Sequence, residues 1–410
     1  MKYLLHILSC LCLFHLQAAG KVWNVDQQGS LRYIRTAVGL ASPGDTIYVQ
    51  KGHFKEGNIT INKALTLIGV NRPVLDGQKK YEVVSIRSNN VHFEGFEVIR
   101  SGKSSLDDPG GIKVYNCKNV SVVNNILRDN FFGIYIQNGA KCLVRNNQIF
   151  AKALNEQETG NGIHCWKSDS LQIIGNRIDG HRDGIYFEFV THSIIWRNIS
   201  TANIRYGLHF MFSNDDVYIG NVLKNNGAGV AVMYTKRVKM FNNHFYENWG
   251  ASSYGLLLKD ITDSHIENNQ FMRNTIGIYM EGSSRIFVQG NSFNNNGWGM
   301  KIQASCMDID VFSNNFSSNT FDVSTNGTLV LNRFKGNFWD KYEGYDINKD
   351  GIGDVPFHPL SLFSYIAEQN AQAMILFRSF IVTLLERSER ILPSLTPDEF
   401  IDPAPRMNKL

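Results

Sequence analysis

The sequence predicts an all-β fold, a right-handed parallel β-helix with coils of about 22 residues, an N-terminal cap and a C-terminal helical docking tail. Three observations predict it. A glycine followed by alternating apolar residues recurs at Gly111, Gly133, Gly162, Gly184, Gly207, Gly229, Gly255, Gly277 and Gly299, with separations of 22, 29, 22, 23, 22, 26, 22 and 22 residues. Asparagines keep the same beat at Asn125, Asn147, Asn176, Asn198, Asn221, Asn243, Asn269 and Asn291. Between these markers run short β-type segments such as GVAVMY and HFYEN, none long enough for a helix. One such repeat cannot bury its apolar side chains alone. Stacked repeats enclose them in a shared interior, with Gly and Asn taking the tight corners.

The first element, residues 1–20, reads MKYLLHILSCLCLFHLQAAG: a short basic start, an apolar middle and small residues at the end. That pattern is a secretory signal peptide, removed near Ala18 to Gly20, and it places the chain in an oxidising compartment. Four cysteines then remain, Cys117, Cys142, Cys165 and Cys306. They fall at different places within the repeat and form no CxxC, so they are expected to be buried small apolar residues rather than disulfides or metal thiolates. The net charge of +4 is mild, and no basic stripe carries interleaved aromatics, which argues against a nucleic-acid partner.

Residues 21–360 are expected to form the β-helix domain. Its opening, LRYIRTAVGLASPGDTIYVQKGHF, reads as an amphipathic helix, a Pro-Gly turn and a strand. A cap of this kind covers strand edges that an open coil end would expose. In the coils, Leu208 and Phe210 alternate inward after Gly207, so His209 and Met211 point outward. The same two positions give one outward column of Tyr135, His164, Tyr186, His209, Ala231, Leu257, Tyr279 and Lys301. The other column runs Gln137, Trp166, Glu188, Met211, Met233, Lys259, Glu281 and Gln303. Coils stack about 4.8 Å apart. His209, Met211 and Met233 are therefore expected to meet around one ion on a solvent face, with His164 or Glu188 completing the set. Imidazole plus thioether suits Cu(I) far better than a hard cation. A protein–protein contact surface is the alternative reading of this patch.

Two insertions, AKALNEQETGN before Gly162 and NWGASSY before Gly255, should emerge along one edge and frame the patch. Beyond the last coil, Asp346, Asn348, Asp350 and Gly351 match positions one, three, five and six of a calcium loop, with Asp354 at position nine. Phe357 stands where the bidentate Glu belongs. Ca²⁺ is one expectation for this loop; a turn held by Asx hydrogen bonds, closed by Phe338, Trp339 and Phe357, is the other. Residues 361–410 form the last element, a helical and proline-rich segment. Its apolar stretch is too short and too charged to span a membrane and too apolar for a free surface helix. Met374, Phe377, Phe380, Ile381, Leu384 and Leu385 are expected to dock on a partner, or else to plug the barrel end. Pro393, Pro397, Pro403 and Pro405 should then give an extended tail.

At RDGIYFE, RYGLHFM, GVAVMY and YEGYDINKDGIGDVP, together with LLERSERILPSLTP, the chain resembles the NosD family of nitrous-oxide-reductase maturation proteins. The resemblance spans essentially the whole mature chain. It implies a periplasmic right-handed β-helix seated on a NosF/NosY-type ABC transporter. It also implies joint action with a NosL-type copper chaperone to mature the copper–sulfur centre of nitrous oxide reductase. Under this reading the chain is not an enzyme, ATPase activity resides in a partner subunit, and Cu(I) is held transiently. The metal ligands named above come from the columns and not from the resemblance. The rivals are a carbohydrate-active β-helix enzyme, with Asp169, Asp183 and Glu188 as candidate carboxylates, and a metal-free structural adaptor.

Overall fold

The computed structural model describes residues 20–104, 108–328, 330–391 and 400–409. The expected signal peptide, along with Pro393 and Pro397, lies outside the described residues. Three parallel sheets of 14, 12 and 13 strands run the length of the molecule, each strand pairing with its counterpart one coil away. Beyond the first strand, the chain visits the three sheets in turn, so each complete coil contributes one strand to each. This is the parallel β-helix that the glycine spacing predicts. The cap is also present: α1 (Ile34–Leu40) buries Ile34, Ala37 and Val38 over the first coils.

The interior is filled by like residues stacked on like. Phe245, Phe271, Phe293 and Phe316 lie face to face, with ring centroids 4.5, 4.9 and 4.6 Å apart, and Trp339 closes the column at 4.2 Å. Cys117, Cys142, Cys165 and Cys306 are buried and unpaired, the apolar role expected of them.

Corners are polar and equally repetitive. From Asn125 to Asn337, each buried asparagine donates its backbone N–H and its Nδ2 to the Oδ1 of the asparagine one coil on; Asn198 bonds Asn221 at 3.0 Å through both donors. The second Nδ2 hydrogen goes to a backbone carbonyl, Ile173 in this case. A second ladder, which the sequence reading did not single out, runs through Asn203, Asn226, Asn248, Asn274, Asn296 and Asn319 at another corner. The corners need left-handed backbone, and Asn accepts it at modest cost; Asn124, Asn146, Asn242 and Asn268 all have φ near +55°.

The tail departs from expectation. It holds two helices, α2 (Leu362–Gln369) and α3 (Phe380–Ile391), joined by a 3₁₀ turn at Ala371–Leu376. Residues 400–409 do not extend away; they return to the open end of the barrel. Phe400 and Asp402 are fully buried there. The Asp402 carboxylate takes the next rung of the asparagine ladder, accepting Gly336 N–H (3.0 Å), Asn337 N–H (2.9 Å), Asn337 Nδ2 (2.9 Å) and Trp339 Nε1 (3.1 Å). The physical reason is that the last asparagine leaves donors without an acceptor, and a carboxylate supplies acceptors only. Replacing Asp402 by Ala strands these donors. We expect a loss of stability on the order of 3 kcal/mol or more, read as a lowered denaturant midpoint. An unchanged midpoint in D402A would show that the returning segment is not part of the fold.

Candidate functional site

The 12-stranded sheet carries the candidate face. Inside it, Leu208 and Phe210 are buried in the core, as the alternation requires. Outside it the columns hold register: Tyr186 pairs with His209 and His209 with Ala231, while Glu188 pairs with Met211 and Met211 with Met233. Glu188, Met211 and Met233 therefore stand on consecutive coils, and His209 shares a strand, Tyr206–Met211, with Met211.

Two expectations are corrected here. His209 does not face solvent; it is only 5% exposed. The ring of Tyr186 lies 4.8 Å from it and that of Tyr206 4.6 Å. These aromatic side chains close over the column, which strand alternation alone cannot reveal. The second correction concerns His164. It lies two coils from His209 with the Tyr186 ring between them, and its Nδ1 is 3.0 Å from Asn161 Nδ2. Burial pulls its pKa down to about 3 and keeps the ring neutral; it is the intervening Tyr186 ring, not its charge, that separates it from the His–Met set.

Around His209 the polar geometry is unusual. Neither ring nitrogen has a hydrogen-bond partner, and both are buried. Nδ1 faces Asp183 Oδ2 at 3.6 Å, longer than a hydrogen bond. The Asp183 side chain is itself 1% exposed, with Arg205 Nε 3.8 Å and Arg182 Nε 3.9 Å away. On the neighbouring column, Met211 and Met233 are half-buried, and the Tyr186 hydroxyl lies 3.6 Å from Met211 Sδ. Burial raises the Tyr186 phenol well above its usual range, so it is a proton donor. An imidazole on the same strand as one thioether and one coil from a second, partly shielded from water, matches the donor preference of a soft monovalent cation.

Both insertions occupy the corner that leads from the 13-stranded into the 12-stranded sheet. The first folds toward the face, bringing Glu156 Oε2 to 3.8 Å from Arg205 Nη1. An aromatic ladder that the sequence reading missed rims the opposite edge: Phe189, Phe212 and Tyr234 stack at 5.1 Å intervals. All three adopt left-handed backbone, with φ of 54°, 51° and 55°, and all are exposed. Their common position one residue after Glu188, Met211 and Met233 was the signal available in the sequence.

Elsewhere the expected sites fare differently. Asp169 follows the strand Ile163–Trp166 and Asp183 precedes the strand Ile185–Glu188, so these two carboxylates of the enzyme reading stand at different corners. Asp169 is held by Ser170, Thr191 and His192, and these hydrogen bonds lower its pKa to about 2. In the acidic loop, Asp346, Asn348, Asp350 and Asp354 accept backbone N–H groups from Gly351 (2.9 Å), Asp350 (3.1 Å), Ile352 (2.8 Å) and Ile347 (2.7 Å) respectively. That is the Asx-turn reading, and it requires no cation. Among the docking residues, Phe377 and Met374 are corrected: they pack inward with Phe321, Phe363 and Val382, because the helix pair must cover the last strand of the 12-stranded sheet. Leu385 is half-buried, whereas Phe380, Ile381 and Leu384 are exposed. Lys301 Nζ bonds Glu368 at 2.6 Å and Gln303 Nε2 bonds it at 3.4 Å, so α2 is seated on the same two columns that carry His209 and Met211. No helix among the described residues is long and apolar enough to cross a membrane.

Residues 151–344 match the family model described as "Periplasmic copper-binding protein (NosD)". Two curated relatives carry the name "Probable ABC transporter binding protein NosD". The Pseudomonas aeruginosa protein is 25% identical over 374 residues, covering 86% of each chain. The Stutzerimonas stutzeri protein is 24% identical over 376 residues, covering 86% of this chain and 84% of its own. Along this span and these relatives the chain is similar to the NosD family. The matched span contains His164, Glu188, His209, Met211, Met233 and both insertions, and it ends before the acidic loop. Solved structures with a similar fold include the alginate lyase AlyF-OU02 in complex with G6, with a TM-score of 0.58, 12% identity and 77% and 84% coverage. A GH87 alpha-1,3-glucanase from Streptomyces thermodiastaticus follows with a TM-score of 0.56, 14% identity and 75% and 65% coverage. At such identity the likeness concerns the β-helix alone.

The exposure pattern has a direct check. Met211 and Met233 are half-buried, whereas Met240, Met280 and Met300 are in the core. Limited peroxide treatment followed by peptide mass spectrometry should convert the first pair to sulfoxide well before the other three. Equal rates would mean that the thioethers do not line an accessible face.

Proposed function

We propose that this chain is a periplasmic copper-handling protein that sits on an ABC transporter and takes part in assembling the copper–sulfur centre of nitrous oxide reductase. Cu(I) is its cargo, held transiently by His209, Met211 and Met233, with Glu188 at the edge of the set. One observation carries the reading: a buried imidazole with no hydrogen-bond partner stands on the same strand as Met211, which is paired across the coils with Met233. The description of the matching family supports copper and a periplasmic address. The name shared by the relatives supports a transporter partner. A NosF/NosY-type transporter, a NosL-type chaperone and the reductase are the partners this reading assigns, and the ATPase belongs to the transporter. The metal-free adaptor is the outcome if copper binding fails.

Changing Met211 and Met233 together to Leu keeps volume and apolarity while removing both sulfurs. Cu(I) affinity, measured by competition with a chromophoric chelator, is expected to fall at least about tenfold, roughly 1.4 kcal/mol, with the melting temperature little altered. Parent-like affinity in M211L/M233L would remove these sulfurs from the site.

Transporter docking is assigned to the outer face of α3. Phe380 is 81% exposed, and Ile381 and Leu384 lie beside it. The inner face, through Val382, already packs on the barrel, so the outer residues are free for a partner. The double variant F380D/L384D should remain folded yet no longer co-purify with the membrane partners. Undiminished co-purification would rule this face out.

A further inference from the structure

The copper reading leaves unsettled which nitrogen of His209 donates, and the surrounding charges answer this. An imidazole has two distinct nitrogens, and the partner of one fixes the role of the other. His209 Nδ1 faces the Asp183 carboxylate at 3.6 Å with no other polar group bonded to it. Its flanks are aromatic: the Tyr186 and Tyr206 rings on two sides and Ala231 on the next coil. A lone pair aimed at a buried carboxylate oxygen is repelled, whereas an N–H is attracted, and burial magnifies the difference. The carboxylate cannot turn away. Its Oδ1 accepts the Tyr206 backbone N–H at 3.3 Å, which leaves Oδ2 directed at the imidazole. Arg182 and Arg205 lie at 3.9 and 3.8 Å from its two oxygens and supply a positive surrounding to the carboxylate. The remaining nitrogen, Nε2, is buried and without a partner.

We infer that Asp183 is a positioning residue that holds His209 in the Nδ1–H form, so that Nε2 carries the lone pair offered to the soft cation. The part concerning the cation rests on the copper reading; the part concerning the proton stands without it. Asp183 is not itself a ligand. It acts through His209, in the way that an outer carboxylate orients a metal-bound histidine. It lies one coil before His209 in the stack, at the corner preceding the strand Ile185–Glu188, and its place in the sequence, beside Gly184, gave no sign of this partner.

The test uses the exported full chain labelled with ¹⁵N-histidine. Two-bond ¹H–¹⁵N correlation spectra of the metal-free protein, with His209 assigned by comparison with His209→Gln, should report Nδ1 protonated and Nε2 bare. In Asp183→Asn the amide oxygen keeps the Tyr206 N–H, so the NH₂ group points at Nδ1. The tautomer should switch to Nε2–H, and Cu(I) affinity should drop about tenfold or more. Nε2–H in the unmodified protein would overturn the inference without any variant. So would Asp183→Asn that keeps full Cu(I) affinity while M211L/M233L loses it. If M211L/M233L and His209→Gln both bind Cu(I) like the parent, the copper reading fails, and the tautomer spectrum still decides the role of Asp183.

Discussion

Buried asparagine side chains bonded to one another hold the coils in register. Each rung satisfies two donors of its predecessor and passes two of its own onward, while the spare hydrogen fixes a backbone carbonyl. An interior polar group left unpaired costs on the order of 1–3 kcal/mol. A shift of one coil by a single residue would break a whole set of such bonds and turn the apolar residues outward. The phenylalanine column and the alternation of each strand then follow from a register that the corners have already imposed. The candidate face inherits its order from the same source. His209, Met211 and Met233 share one face because the corners repeat, not because those residues attract one another.

Periodicity made most of this legible before any coordinates. The glycine beat located the strands, and alternation within each strand separated Phe210 from His209. What could not be read was anything decided across the coil rather than along it. The cover over His209 comes from Tyr186, its neighbour in the column, and from Tyr206, which lies outside the column by count. Asp183 meets His209 through a corner that the period treats as mere connection. The fate of residues 400–409 was hidden for a related reason. Their apolar content is low, and Asp402 reads as a surface residue until the donors of Asn337 and Trp339 are known to await it. Conversely, the acidic loop matched a calcium pattern closely in sequence, yet its oxygens have nearer partners in their own backbone.

The face is bounded on three sides by features the repeat does not require. The insertion bearing Glu156 closes one edge, the stacked Phe189, Phe212 and Tyr234 rim the other, and α2 ends the columns through Glu368. The aromatic rim is informative because left-handed backbone is unfavourable for such residues, yet three successive coils accept it. Stacking at 5.1 Å with nearly parallel rings returns part of that cost. Rings stacked face to face present only their edges to solvent, so this rim offers apolar contact rather than flat platforms on which sugars could lie.

Because both ends are closed by separate segments of chain, α1 at one and Asp402 at the other, the number of coils between them is not fixed by either closure. Met233, Lys259, Glu281 and then Gln303 occupy successive coils. Met233 thus stands three steps, about 14 Å, from the rung that seats the helices, and Met211 one step farther. The molecule is a ruler graduated in single coils: gaining or losing one would carry the sulfurs about 4.8 Å nearer to or farther from whatever holds the helices, leaving both fittings unaltered. Reach in such a protein changes by whole increments.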